Sequence, residues 1–394
     1  MVNLTNTKAN QPNISQEYSS IFDNIYPYSK IGRVVVDKNT GALKRFLSHE
    51  NSNFDVFGND INLDVSTEAI MVYYPSFYRK KNCRIDGVEK QGIALNVIPD
   101  KYGTNCPDGY TIEDWFLNED GTIAEYRMLG AFDAYVDGDG QLTSIPYVIP
   151  TRSKNIQQFR DYAKVNRTAS KAGIISFYAV SAVQRLFVME FGSFDSQSVL
   201  GKGKTYLSTD NDVIPSDYDI LKTGETMALG NRSGYLNRTY NGEDLTDGKV
   251  SISYRGLEDF FSNIWQFIDG LITIDTGYYY TNSFDKMNQI KSNNVLNVDG
   301  WNYFATTVPT SSGNAKAMQE NSLDFSFLTK DVGGASSTYY SDYYYAYNGA
   351  GALRVALLGG FWYDGASAGA FSWYLSSSAS VASSSGIGSR FESR

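Results

Sequence analysis

Along most of this chain apolar and polar residues alternate in short bursts, and in only two stretches does the spacing lengthen to a helical period. "IGRVVVD" (31–37), "GALKRFL" (41–47) and "AIMVYYPSFYRK" (69–80) are rich in β-branched and aromatic residues, with "DKNTG" (37–41) as a turn signal between the first two. "QGIALNVIP", "IAEYRMLGAFDAYVD" and "SIPYVIP" continue the strand pattern to residue 150. The first helical stretch runs over about 176–191: Ser176 is placed as N-cap, "FYAVSAVQRLFVMEF" is apolar nearly all round, and Gly192 suits the stop. Such a segment predicts a central buried helix. It carries Arg185 and Glu190 and is too short to cross a bilayer. The second stretch, "GLEDFFSNIWQFIDG", predicts an amphipathic helix over about 257–269. Glu258 and Asp259 would complement the dipole in its first turn, Gly270 would end it, and Phe260, Ile264 and Phe267 would share a docking face.

The remaining pattern sets the domain plan. Residues 1–24 are dominated by Asn, Ser, Thr and Gln and read as a polar arm. From 25 to 394 the chain reads as one β-rich region merging into a domain whose core spans about 65–394. After residue 270 come short strands and loops, then a Tyr-dense loop (339–347) and an apolar strand ending in Gly359 and Gly360. The expected class is α+β: short twisted antiparallel sheets, two main helices and long loops. No repeat of solenoid length is present.

Composition sharpens this reading through its aromatic content. Thirty Tyr against nine Pro favour half-buried pleated surfaces, and Tyr also serves recognition faces, since it offers rigid area with a polar tip. A net charge of −9 argues against nucleic-acid partners and anionic membranes. Cys83 and Cys106 are too few for a disulfide framework and lack metal-ligand spacing, so they read as free thiols or, at most, one disulfide. The N-terminus has no apolar signal-peptide core.

Candidate chemistry is sparse. His49 is the only histidine, which removes most triads and histidine metal sites. "DGDG" (137–140) lacks the other oxygen ligands of a calcium loop and reads as a tight turn. No metal or cofactor site is expected. Glycosidase chemistry needs only two carboxylates; Asp364 offers one, and nothing marks its partner. Recognition without chemistry remains, and it fits residues 357–391, where Trp, Tyr and Phe come in bursts among Gly, Ala and Ser. Trp362 and Phe371 are expected to face inward; Tyr363, Asp364, Ser367, Trp373, Tyr374 and Ser376 are expected outside as ligand contacts. Tyr343 and Tyr345 would extend that face or pack between subunits.

Three motifs, "SNIWQF" (262–267), "GGFW" (359–362) and "IGSR" (387–390), resemble the linked signatures of the C-type-lectin-like fold of the formylglycine-generating-enzyme type. That fold is shared by variable proteins of diversity-generating retroelements and by phage receptor-binding tail proteins. "YPYSKIGRVVVD", "IMVYYPSFYRK", "FRDYAKV" and "YAVSAVQRLFVMEFGSFDSQSVLGKG" also resemble the phage subgroup, so the likeness covers roughly 25–394. It implies that Asn263 and Trp265 lie on a helix under the ligand face. It further implies that Gly359, Gly360, Trp362, Gly365, Gly369, Ile387, Gly388 and Arg390 hold a fixed backbone around a displayed, replaceable segment, 357–391. Arg390 would bond buried carbonyls near the chain end. No Cys follows Cys106, so the cysteine pair of the enzyme is missing and a non-enzymatic protein is implied; the calcium-lectin motifs are missing too.

The resemblance therefore implies a virion appendage, tail or fibre, that binds a host-surface polysaccharide or protein through its C-terminal face. Its N-terminal arm would attach to other virion proteins, and it would form a homo-oligomer, a trimer by analogy with fibres. Synthesis in the host cytoplasm followed by lysis accounts for a virion protein without a signal peptide, and no membrane insertion is implied. The alternatives are a capsid or tail decoration protein without receptor binding and a carboxylate-dependent depolymerase.

Overall fold

The computed structural model describes residues 2–3, 21–80, 83–85, 88–167, 172–206, 220–240, 242–275, 277–290, 298–304, 308–319, 327–337, 340–346, 353–379 and 384–394. Most of the proposed N-terminal arm, and Tyr339 and Tyr347 of the Tyr-dense loop, lie outside them. Within the arm, Val2–Asn3 pairs antiparallel with Gln91 and Lys90.

Two sheets organise the chain. The six-stranded one takes the order Ala172–Ile174, Phe391–Ser393, Tyr126–Gly130, Glu68–Pro75, Gly32–Asp37, Leu43–Phe46. The nine-stranded one runs Asn302–Phe304, Gly277–Tyr280, Trp265–Ile274, Leu353–Gly359, Gly369–Ser377, Tyr343–Tyr345, Gly313–Met318, Thr329–Val332, with Ile387–Gly388 added parallel to Trp265–Ile274. Strands take up 34% of the described residues and helices 15%, and a sheet curls into a half-barrel. The protein is therefore sheet-dominated, and the α+β expectation with two main helices is overturned.

Four α-helices occur among the described residues: α1 Ile156–Lys164, α2 Phe177–Phe191, α3 Ser196–Leu200 and α4 Phe284–Met287. α2 matches its sequence reading. The Ser176 hydroxyl accepts from Ala179 N, Gly192 at φ 61° ends the helix, and every residue but Met189 is buried. Its polar side chains have fixed partners: Gln184 donates to the Ala370 carbonyl, Arg185 to Glu113, and Glu190 accepts from Arg255 and Tyr254. Burial of a Phe or Leu side chain contributes about 1.5–3 kcal/mol, so this helix anchors the larger core.

The second expected helix does not form. Leu257–Glu258 is a short strand, and Trp265–Ile274 is a ten-residue strand at the centre of the large sheet. Between them the backbone turns through positive φ at Asp259, Ser262 and Asn263, conformations that a helix cannot contain. Tertiary hydrogen bonds hold this turn. Asp259 accepts from Ser251 Oγ and Ile252 N, and Glu258 accepts from Gly224 N, Thr226 N and the Thr226 hydroxyl. The two acids bond neighbouring loops instead of complementing a dipole.

Two central strands are buried on both faces. In Gly32–Asp37, Val35 points into the core under α2, while Val34 and Val36 point into a second core under α1. In Trp265–Ile274 a bulge between Ile268 and Ile272 switches parity: Trp265, Phe267 and Ile272 face the second core, whereas Ile268 and Leu271 face the first. At this bulge Asp269 receives a bidentate pair from Arg160 at 2.6 and 2.8 Å, which ties α1 to the sheet.

The smaller sequence expectations hold locally. Asp137 accepts from Asp139 N and Gln141 N and pairs with Lys38 at 2.7 Å, so "DGDG" is a hairpin turn. Cys106 is a free thiol.

Candidate functional site

The three motif segments, far apart in sequence, converge on one structural knot. Ser262 N donates to the Gly359 carbonyl and Trp362 N to the Asn263 carbonyl, joining the first motif to the second. Trp265 and Gln266 pair with Ile387 and Gly388, joining the first to the third. The Asn263 side chain accepts from Leu221 N and donates to Asp133.

Arg390 is fully buried at the centre of the knot. Its Nε donates to Gln266 Oε1 at 3.1 Å and its Nη1 to the Gly130 carbonyl at 2.9 Å. Its Nη2 reaches the Glu258 and Asp259 carbonyls at 2.6 and 2.9 Å and Asp133 at 3.2 Å. Every polar nitrogen of the side chain is engaged with protein, so Arg390 is a structural group. Burial pushes the Asp133 carboxyl up, and the Arg390 charge draws it back.

Several glycines in and after the second motif leave no room for a larger residue or adopt positive φ. Gly360 sits at φ 86°, and a Cβ there would meet the Ala368 Cβ at 2.5 Å. A Cβ on Gly369 would collide with the Asp342 carboxylate. Gly359 and Gly365 also adopt positive φ, and Gly388 packs under Ile264. Trp362 and Ile387 are buried, as a fixed backbone requires.

Beside this knot lies a cleft of about 470 Å³ lined by Trp265, Tyr345, Arg354, Leu357, Phe361, Asp364, Tyr374, Ser376, Ser377, Ser378, Ser384, Gly386 and Ile387. Its aromatic wall is a packed cluster. Trp265 meets Tyr345 and Tyr374 edge-on, each at 5.7 Å between centroids, and Tyr345 lies 5.2 Å from Tyr374 and 4.6 Å from Tyr343. Asp364 ties the wall to the "GGFW" turn: it accepts from Phe361 N at 3.0 Å and from the Tyr345 hydroxyl at 3.4 Å. Burial pushes its carboxyl up to about 7, opposed by those two donors and by the Trp265 indole N–H.

The expected contact residues divide into four groups. Tyr345, Asp364, Tyr374 and Ser376 line the cleft, and Tyr343 and Ser367 contact Tyr345 from behind. Tyr363 is 60% exposed and stands outside the cleft. Trp373 is a correction: it was expected outside, yet it is fully buried, packs 6.2 Å from Phe177 of α2 and donates to the Phe327 carbonyl. Strand alternation is the reason, because Phe371, Trp373 and Leu375 share one face of Gly369–Ser377 while Tyr374 and Ser376 share the other. Trp265 was a correction in the other direction. Placed on a supporting helix by the resemblance, it is a strand residue that walls the cleft. Arg354 and Ser384 were missed; a lone Arg inside the apolar run "ALRVALLGG" was the available signal for the first.

An aromatic wall with a row of hydroxyls, one guanidinium and one carboxyl can stack on the apolar face of a ring and bond its polar substituents. Among the described residues that line the cleft, Asp364 is the one carboxylate. No protein-family model matches this chain, and no curated protein matches it.

Proposed function

We propose that this protein is a non-enzymatic virion appendage, tail or fibre, that binds a host-surface glycan or protein through the face around the Trp265–Tyr345–Tyr374 cleft. The observation that carries the proposal is the cleft's position: it is built from all three motif segments behind the resemblance to phage receptor-binding proteins, and its lining combines aromatic rings with serine hydroxyls. The site's size suits one or two sugar rings or a small loop of a surface protein. Several copies on one particle would turn a weak single site into firm attachment.

The test is adsorption of fluorescently labelled protein to host cells, comparing the parent with Tyr345→Ala and Tyr374→Ala variants of verified melting temperature. Parent binding that both variants lose supports the receptor-site reading. Binding that survives in both variants removes the cleft from the interaction. Absence of parent binding to every cell type that the particle adsorbs to favours the decoration protein, with the face covered by another virion component.

A further inference from the structure

A second cleft, remote from the motif knot in its lining residues, has a charge balance that stands out in a chain of net charge −9. It encloses about 380 Å³ and is lined by Asn118, Arg127, Asn282, Lys286, Asn302 and Arg394 among others, with Glu119 as the one carboxylate among the described lining residues. Two of its three cations are sunk into the protein. The Arg127 residue is 7% exposed and the Arg394 side chain 6%.

Their hydrogen bonds are incomplete in the same sense. Arg127 donates through Nε to the Trp115 carbonyl and through Nη2 to Asn118 Oδ1; among the described residues no carboxylate accepts from it, and Glu392 acts on it only through its charge. Arg394 donates through Nε to Glu392 and through Nη1 to the Asn282 carbonyl, and its guanidinium lies 4.1 Å over the Phe284 ring. Its Nη2 is buried without a partner. Glu392, the one acid between them, is already shared with Trp115 Nε1 and Ser176 N. Burial and then the nearby Arg394 charge lower the Arg127 guanidinium to about 10. Buried charges are ordinarily paired, because an unpaired one keeps its desolvation cost uncompensated. Here two guanidiniums and one ammonium face a cleft, and Glu392 behind it hydrogen-bonds Arg394 and reaches Arg127 through its charge alone.

We propose that this cleft is an oxyanion site that takes a phosphate or sulfate group, held by Arg127 and Arg394 with Lys286 at the rim. A tetrahedral anion suits two separate guanidinium donors, since each contributes an N–H to a different oxygen. Asn118, Asn282 and Asn302 stand around it with amides able to bond a sugar or other alcohol bearing that group. The proposal is independent of the aromatic cleft and of its ligand.

The test is calorimetric titration of the full chain at low ionic strength with inorganic phosphate, sulfate and glucose 6-phosphate, with sodium chloride as the control, supported by melting temperature. The expected result is saturable binding of phosphate or sulfate in the millimolar range or tighter, with a rise in melting temperature that chloride does not give. Arg127→Gln should weaken it by about tenfold or more, since a charged donor is lost from a sheltered site. Lys286→Gln, which leaves the buried groups in place, should weaken it by about threefold. Tighter binding of glucose 6-phosphate than of phosphate assigns the site to an ester, and equal affinities assign it to the free ion; both support the site. Failure of phosphate, sulfate and the ester to bind beyond the chloride control overturns it, as does unchanged affinity in both folded variants.

Discussion

Replacing Arg390 by Met tests whether the knot is what holds the displayed turn in place. The substitution keeps the apolar stem and removes a guanidinium that donates to Gln266, to Asp133 and to the carbonyls of Gly130, Glu258 and Asp259. All of these groups are buried, so water does not replace the lost donor. Breaking a buried, hydrogen-bonded charge pair from one side costs about 3–5 kcal/mol. For a chain of this length, a loss of that size lowers the melting temperature by about 5 °C. The deficit should also depend on pH. Without Arg390 the Asp133 carboxyl, already raised by burial, titrates still higher. A carboxyl whose folded value lies above its unfolded one destabilises the fold as pH rises through the folded value. The R390M deficit is therefore smaller at mildly acid pH, where Asp133 is protonated, than at pH 8. Adding Asp133→Asn should recover part of it, which a double-mutant cycle in urea reads directly. A neutral-pH deficit below about 1 kcal/mol, or one independent of pH, would refute the assignment of Arg390 as the centre of the knot.

Three further outcomes are expected. Trp373→Ala should cost about 3–5 kcal/mol in urea unfolding, and Tyr374→Ala, one residue along and half-buried, clearly less; equal costs would contradict the strand alternation. Asp364→Asn should flatten one component of the stability profile: with its carboxyl at about 7, wild-type stability falls as pH rises from the ordinary carboxylate range through 7, and the parent-minus-variant difference should trace that fall. Ser176→Ala removes the acceptor for Ala179 N at the start of α2 and should destabilise by about 1 kcal/mol, measured by thermal melting.

The sequence made α2 legible because its signals are local: a serine cap, a continuous apolar run and a glycine in the left-handed region. Residues 257–269 carry an equally good local pattern, and there the fold is decided elsewhere. Asp259 and Asn263 adopt positive φ because Ser251, Ile252, Leu221 and Trp362 supply or receive their hydrogen bonds, and none of these partners is within helical reach. Once the turn exists, Trp265 and Phe267, which would point to opposite sides of a helix, fall on one side of a strand. The error at Trp373 was avoidable, since the alternation of Phe371, Trp373 and Leu375 against Tyr374 and Ser376 is written in the chain. The cleft was only partly visible. Its glycines and tyrosines mark the C-terminal segment, but Trp265 and Arg354 enter through strand neighbours that no spacing reveals.

The strand Phe391–Ser393 lies inside the six-stranded sheet, between Ala172–Ile174 and Tyr126–Gly130. The sheet begun by residues 32–75 therefore stays open during synthesis until the 391–393 segment has left the ribosome. Pairings between residues most of a chain apart give a high contact order and slow closure. Until then the gap leaves unpaired backbone edges on a chain rich in aromatic side chains, the condition under which nascent proteins aggregate or engage chaperones. Loss of Phe391–Ser393 would leave that gap permanently open, so deleting this strand should yield insoluble protein where a loss of the same size from a surface loop would not.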